Sequence, residues 1–395
     1  MKLTTKSILT LNGGSSSIKF ALYRAGGRLE RTLHGQISRI GLPGTQLTYS
    51  HSINAQPLSC AIAGSDHQSA VIFLLDWLEK LPDFVSVVAI GHRVVHGMNH
   101  VAPERVSTDL LTELRRISVY DPDHLPAEIE LIEACQRRHP TLPQIACFDT
   151  AFHQTLPRVA QLLPIPRRFD RQGIRRYGFH GLSYTYLIQE LGRVAGEKAA
   201  TGRVVLAHLG GGASLAAVLG GKSIDTTMGF TPAGGLPMGT RPGDLDPGVA
   251  WFMMQSEQLT SGQFNQLINH ESGMLGISET SSDMLDLLHK QADDIRAAEA
   301  VDLFCYQTKK AIGGLMAILG GLDTLVFSGG IGEHASEIRS RICANLGYAG
   351  IVLNEKQNVD HAAVISASDS QVTVRVIATD EELLIAQTVW QQLAD

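Results

Sequence analysis

The chain has 395 residues, 44% of them apolar and 18% charged, and a formal net charge of −6 at pH 7. At ~100–200 residues per domain this length holds two or three domains, with enough apolar material for sizeable cores, which excludes wholesale disorder. The acidic balance argues against a general binder of nucleic acid or of anionic membrane surfaces.

Near the N-terminus, Ile8–Leu9–Thr10–Leu11 reads as a buried strand. It runs into Asn12–Gly13–Gly14–Ser15–Ser16–Ser17, after which Ile18, Phe20 and Leu22 alternate with other residues. Strand, glycine/serine turn, strand is a hairpin signal. The apolar run is too short for a secretory leader. Helical spacing follows over 70–80, 109–117 and 128–137. His96 and His100 stand four apart, as in a zinc-binding helix, but Gly97 fills the place of the required glutamate and Pro103 favours a loop. A strand is predicted over 144–148. The segment beyond it contains Leu156–Pro157 and then Pro164–Ile165–Pro166–Arg167–Arg168. It reads as a loop or crossover, and the seam between two domains is placed near residue 150.

Half a chain later the opening is echoed. Val204–Val205–Leu206–Ala207 leads into His208–Leu209–Gly210–Gly211–Gly212–Ala213–Ser214, then Leu215–Ala216–Ala217–Val218. Gly221–Lys222–Ser223 looks like the end of a P-loop, but the first glycine of that motif would fall on Ala216 and no helix is expected to follow. A long helix is predicted over 301–319. A third strand–glycine unit follows, Thr324–Leu325–Val326–Phe327–Ser328 into Gly329–Gly330–Ile331–Gly332–Glu333, and runs towards a helix containing Glu337, Ile338 and Ile342. A last helix is predicted over 381–393. The apolar stretch 312–322 is interrupted by glycine and too short to span a bilayer. Five scattered cysteines with no CxxC suggest reduced thiols and a cytoplasmic setting.

Alternating strands and helices give an α/β class, and two similar openings suggest duplicated lobes facing a cleft. A glycine-rich turn after a buried strand can aim several backbone N–H groups at one anion. Each turn alone is as well read as a plain turn. Three in one chain, two of them echoing, point to phosphate.

Further motifs run in a fixed order. They are Gly91–His92–Arg93–Val94–Val95–His96–Gly97, Phe148–Asp149–Thr150–Ala151–Phe152–His153 and Arg175–Arg176–Tyr177–Gly178–Phe179–His180–Gly181. Then come Met228–Gly229–Phe230–Thr231–Pro232, Met238–Gly239–Thr240–Arg241, Gly243–Asp244–Leu245–Asp246–Pro247, Ser278 to Asp283, and Ala378–Thr379–Asp380–Glu381–Glu382. Together with the three turns, this set resembles the acetate kinase family, within the superfamily of acetate and sugar kinases, Hsp70 and actin. The resemblance covers nearly the whole chain. It implies two ribonuclease-H-like (actin-like ATPase) lobes with an active-site cleft between them. Residues 1–150 with 381–395 would form the first lobe and 151–380 the nucleotide-binding lobe. It also implies a homodimer with no nucleic-acid or membrane partner, and reversible transfer from ATP to acetate giving ADP and acetyl phosphate, with Mg²⁺ or Mn²⁺.

The chemistry suits that expectation. A carboxylate is already ionised at neutral pH and needs no general base, so what it needs is help approaching a polyanion. By resemblance Arg93 holds the substrate carboxylate, Arg241 stabilises the transferring group, His180 donates to it, and Asp149 orients the metal shell or a proton. Asn12 and Glu381 are the metal candidates. Val95, His124, Phe179 and Pro232 would line the acid site. Ser15, Ser17 and Lys19 would line the first phosphate turn, and His208, Leu209, Gly210, Gly211 and Gly212 the second. Asp283, Met284 and Leu285, with Gly330, Ile331, Gly332, Glu333 and His334, would flank the adenosine.

The chain departs from the family pattern at four places. Gly211 stands where an asparagine is usual, Asp123 where an apolar pocket residue is usual, Leu285 where arginine is frequent, and Tyr184 where a histidine closes the His180 motif. Asp123 would favour a more polar acid, and Leu285 a looser choice of nucleotide. The alternatives are a kinase for propionate or another short acid, a non-catalytic nucleotide switch, and a kinase using another phosphate donor such as pyrophosphate.

Overall fold

The computed structural model describes residues 6–14, 16–51, 56–62 and 66–394. They fall into two compact units, Met1–Ala151 with Asp380–Asp395, and Phe152–Thr379.

The first unit is built on one mixed sheet. Its strands are β1 (Ser7–Gly13), β2 (Ser17–Arg24), β3 (Glu30–Ser38), β4 (Gln46–Ser50), β5 (Leu58–Ala61), β6 (Val87–Val94), β7 (Glu104–Arg105) and β8 (Gln144–Phe148). Their spatial order is β5-β4-β3-β2-β1-β6-β8-β7. β1 to β5 form an antiparallel meander, while β6 pairs parallel with both β1 and β8. Every residue of β1 is buried, as expected of a strand covered on both faces. Helices His67–Glu79 and Leu125–Arg138 contribute Leu74, Leu75, Leu78, Leu131 and Cys135 to a core with Leu9, Leu11 and Phe20. Helix Glu381–Gln392 seats on β6 at Gly91, where an added Cβ would come within 2.4 Å of Ile385 Cγ2 and 2.7 Å of Val389 Cγ2. Only a residue without a side chain lets the helix sit that close.

The second unit repeats the plan. Its strands are β9 (Arg203–Leu209), β10 (Ala213–Leu219), β11 (Lys222–Thr226), β12 (Thr324–Ser328) and β13 (Thr373–Val376), in the order β11-β10-β9-β12-β13. β9, β10 and β11 are antiparallel, and β12 lies parallel to both β9 and β13. The central strands β3-β2-β1-β6-β8 of the first sheet have the same sequence of antiparallel and parallel pairings. The repeat is the duplication that the sequence echo suggests, and the pattern is the ribonuclease-H-like one that the resemblance implies. Tyr184, Leu187 and Leu191 of helix Gly181–Ala195 pack on Val204, Leu206, Ala216 and Val218. Helix Ile295–Leu319 also packs on this sheet.

Several expectations shift in detail. The helix predicted over 301–319 begins earlier, at Ile295, because the Asp294 carboxylate caps it by accepting from Arg296 N–H. The helix predicted over 128–137 begins at Leu125, with Pro126 in its first turn. The Pro- and Arg-rich segment is not all loop. It holds one-turn helices Arg158–Gln161 and Arg167–Asp170, each started by the preceding proline. The third glycine segment is a short helix, Gly329–His334, rather than an open turn. The P-loop look-alike is a hairpin. Gly220 and Gly221 take φ of +61° and +74° between β10 and β11, the two left-handed residues of a tight turn. No helix among the described residues is long and apolar enough to cross a membrane.

Candidate active site

In the first unit, β1, β6 and β8 place polar side chains near the ends of adjacent strands. Asn12 lies on β1, Arg93 on β6, and Asp149 directly follows β8. The carboxyl ends of strands are where open α/β sheets put their ligands. Arg93 donates to Asp149 Oδ2 from Nε at 3.0 Å and from Nη2 at 2.6 Å, and to Asn12 Oδ1 from Nη1 at 3.2 Å. Burial works against the Arg93 charge, but the Asp149 and Glu381 carboxylates more than offset it and hold the group above its ordinary range. Asp149 is fully buried, and its Oδ1 has no hydrogen-bond partner. Glu381, in the first turn of its helix, is pushed up to about 7 by burial and by Asp149 and Glu382, against the pull of Arg93 and Lys19. Lys19 on β2 is paired in register with Asn12, and Ser17 points to the same side two residues earlier. Ser15 lies outside the described residues.

Val95 is buried just past β6, and both oxygens of Glu128 accept from its backbone N–H, at 3.2 and 3.0 Å. Glu128 is only 2% exposed. Its carboxyl sits well above the usual range, mainly through burial, with the nearby Arg93 pulling the other way and Asp121 adding to the rise. The sequence reading missed this residue. Its signal was an acid on the apolar face of a helix, with Leu125, Ile129 and Ile132 buried beside it. His124 Nδ1 lies 2.8 Å from Asp121 Oδ1, and the Asp121 Oδ2 is buried without a partner. The deeply buried carboxyls here are thus Asp121 and Glu128, whereas Asp123 is half-buried.

The second unit gathers a different set around the turn Gly210–Gly211–Gly212 that joins β9 to β10. His180 adopts φ +58° immediately before helix Gly181–Ala195, and its ring stacks on His208 with centroids 4.3 Å apart. His180 Nδ1 lies 2.8 Å from Ser214 Oγ, and His208 Nδ1 lies 2.8 Å from Ser183 Oγ. A Cβ added to Gly212 would meet Arg241 Nη2 at 2.9 Å and His180 Nε2 at 3.2 Å. Two side-chain nitrogens therefore converge on space that only glycine leaves open. The loop carrying Arg241 is pinned to the turn, since Gly239 N–H donates to Gly211 O at 3.0 Å and Arg241 Nη1 donates to Pro232 O at 2.8 Å. Phe179 and Pro232 are both buried.

The residues assigned to the adenosine side divide into framework and surface. Glu333 Oε1 accepts from Gly329 N–H at 2.8 Å and from Thr379 N–H at 3.2 Å, so it ties the end of β12 to the segment after β13. Asp283 caps helix Met284–Lys290 by accepting from Leu285 and Asp286 N–H. Leu209, Met284, Ile331 and Gly332 are buried, whereas Leu285, Gly330 and His334 are exposed. A nucleotide here would meet mostly backbone and those exposed groups.

Asn12, Arg93, Asp149 and Glu381 thus form one cluster, and His180, His208, Gly212 and Arg241 another. The sequence profile of the acetokinase family matches residues 7–387. The chain belongs to the acetokinase family. An acetate kinase of Rhodopseudomonas palustris is 46% identical over 396 aligned positions, 98% of each chain. Two solved structures are similar over nearly their whole length. The acetate kinase of Porphyromonas gingivalis has TM-score 0.87 and 34% identity, covering 98% of this chain and 100% of that one. A propionate kinase of Francisella tularensis has TM-score 0.90 and 35% identity, covering 97% and 98%. This acetokinase therefore has the actin-like ATPase fold, with a ribonuclease-H-like sheet in each unit.

Proposed function

We propose that the protein is an acetate kinase, transferring the γ-phosphoryl group of ATP to acetate, reversibly, to give ADP and acetyl phosphate. The observation that carries this reading is the convergence of Arg241 Nη2 and His180 Nε2 over Gly212. Phosphoryl transfer is limited by charge and position, and a guanidinium and an imidazole nitrogen aimed at one point beside a glycine turn address both. Acetate arrives ionised, so no residue is needed to deprotonate it.

Arg93 is the acid-binding residue. Three of its five N–H groups are taken by Asp149 and Asn12, which fixes the guanidinium plane. Two remain for an incoming carboxylate. Val95 supplies apolar surface beside Arg93, and Glu128 fixes Val95 through its backbone. The site also fits Mg²⁺. Asp149 offers a buried oxygen with no partner, and Asn12 and Glu381 stand with it. Among the described residues no three His, Cys, Asp or Glu side chains form a closed metal cage. Mg²⁺ suits such a place because it keeps several waters and shares its shell with substrate phosphates. Asp149, Glu381 and Asn12 would hold it, and when bound it would neutralise phosphate charge.

The reading includes a cytoplasmic homodimer. Helix Pro247–Ser256, PGVAWFMMQS, has no buried residue, and Trp251 and Phe252 are 67% and 63% exposed. A helix that apolar is expected to be covered, here by a second copy of the chain. A second reading, a propionate kinase, is favoured by the similarity to the Francisella tularensis protein.

Hydroxylamine trapping of acyl phosphate, with ATP and Mg²⁺ and a series of acetate, propionate, butyrate and a short hydroxy acid, tests the proposal. The highest kcat/KM for acetate supports it. A higher value for propionate moves the assignment to the second reading, and a preference for the hydroxy acid points to the polar groups around His124.

A further inference from the structure

The hydrogen bonds of His180 continue into the core in a way that the reaction chemistry alone does not require. His180 Nδ1 lies 2.8 Å from Ser214 Oγ, and the same oxygen is hydrogen-bonded to the Tyr184 hydroxyl. Ser214 is fully buried at the start of β10. Tyr184 is fully buried one turn into helix Gly181–Ala195, where its backbone N–H donates to His180 O at 3.0 Å. Its ring is held by Phe152 at 5.7 Å and His153 at 5.6 Å between centroids. The hydroxyl is therefore delivered to Ser214 by a side chain that has no room to turn away.

We propose that Tyr184 and Ser214 are positioning residues that hold His180 in the Nε2–H tautomer. A serine hydroxyl has one proton to give, and Ser214 has two partners for it. If the phenol donates to Ser214 Oγ, the serine proton goes to His180 Nδ1, and the imidazole proton must sit on Nε2. If the chain runs the other way, Nδ1 carries the proton and Nε2 presents a lone pair. A phenol O–H is a better donor than an aliphatic hydroxyl and keeps its proton through the neutral range. That preference sets the first direction. His180 Nε2 is the atom beside Arg241 Nη2 over Gly212. The relay thus makes it a hydrogen-bond donor to the transferring phosphoryl group, where a lone pair would repel one. A partner on the second nitrogen of a functional histidine fixes its tautomer and ring plane in the same manner elsewhere.

The inference rests on the proposed function only for the destination of the Nε2 proton. The tautomer itself is observable without turnover. The test is a long-range ¹H–¹⁵N correlation spectrum of protein labelled with ¹⁵N-histidine, with His180 assigned by its absence in His180→Asn. The expected result is an unprotonated Nδ1 and a protonated Nε2 in the wild type, with the Nδ1–H form appearing in Tyr184→Phe and Ser214→Ala. In kinetics the same two variants should lose on the order of 10- to 100-fold in kcat, as outer partners of functional histidines do, with KM for acetate and ATP nearly unchanged. A protonated Nδ1 in the wild type overturns the proposal. So does a Tyr184→Phe variant with unaltered tautomer and kcat, since that substitution keeps the ring and removes only the hydroxyl. A wild type that shows the expected tautomer but makes no acyl phosphate leaves the relay standing and removes the function assigned to it.

Discussion

Arg93 is worth more to this protein than its charge. It is half-buried and paired with a fully buried Asp149, and its removal strands that carboxylate. Breaking such a pair costs about 3–5 kcal/mol, whatever the net worth of the intact pair. Arg93→Ala should therefore lower Tm by several degrees in a melting scan and also reduce kcat/KM for the acid by at least ~10²-fold. A variant that loses activity at unchanged Tm would place the arginine outside the pair described. Glu128 gives a sharper contrast. Glu128→Gln keeps an oxygen for Val95 N–H, whereas Glu128→Ala leaves that buried donor without its acceptor, at a cost of ~1–3 kcal/mol. Denaturant melts of the two variants should differ by that amount, and equal stabilities would show that the carboxylate is not what holds Val95. At this scale the motifs singled out Arg93, His180 and Arg241, and each lies in a polar cluster. It missed Glu128 because a buried acid is visible only once the helix face is known.

Elements explain why the pairings were not legible. Arg93 and Asp149 are 56 residues apart, and nothing local in either motif announces the other. The parallel pairing of β6 with β8, Arg93 opposite Cys147 and Val94 opposite Phe148, brings them together. The glycine-turn hairpins, by contrast, are local and could be read directly. The boundaries that shifted, at Ile295 and Leu125, depended on a cap and on a proline rather than on periodicity. The seat of the last helix on Gly91 makes an element-level prediction. Gly91→Ala would press a Cβ into Ile385 and Val389, and overpacking of this kind costs about 1–3 kcal/mol. Because that helix begins at Glu381, the variant should also need more Mg²⁺ for half-maximal activity. Unchanged Tm and Mg²⁺ dependence would contradict the packing described.

Two buried histidines, one in each unit, give a pH dependence. Burial pushes His92 and His153 down to about 4, against about 6.5 for an ordinary histidine. Between those values the unfolded chain binds protons that the folded chain refuses. Their stabilisation is present in full above pH ~6.5 and is lost as the pH falls towards ~4, by up to ~3 kcal/mol for each. Urea midpoints should fall steeply through that window. A flat response there would mean that these rings are not held neutral.

For the whole molecule, the duplication is what the sequence showed most openly, because each sheet contains the same strand–turn–strand signal, β1 with β2 and β9 with β10. The return of the last segment was carried by long-range contacts. Asp380 is tied to Arg31 at 2.7 Å across 349 positions, and no local pattern foretells it. The polar cluster of the first unit is complete only with this segment, since Glu381 follows directly. In the proposed reaction a phosphoryl group moves from ATP to acetate, with Arg241 as the group that stabilises the transfer. The most direct measurement is ³¹P NMR of wild type and Arg241→Ala with ATP, Mg²⁺ and acetate. Acetyl phosphate and ADP should appear together in the wild type. Loss of one such arginine should slow their appearance by ~10³-fold or more. ATP persisting unchanged in a wild-type sample that binds it, or an Arg241→Ala variant as fast as the wild type, would contradict the account.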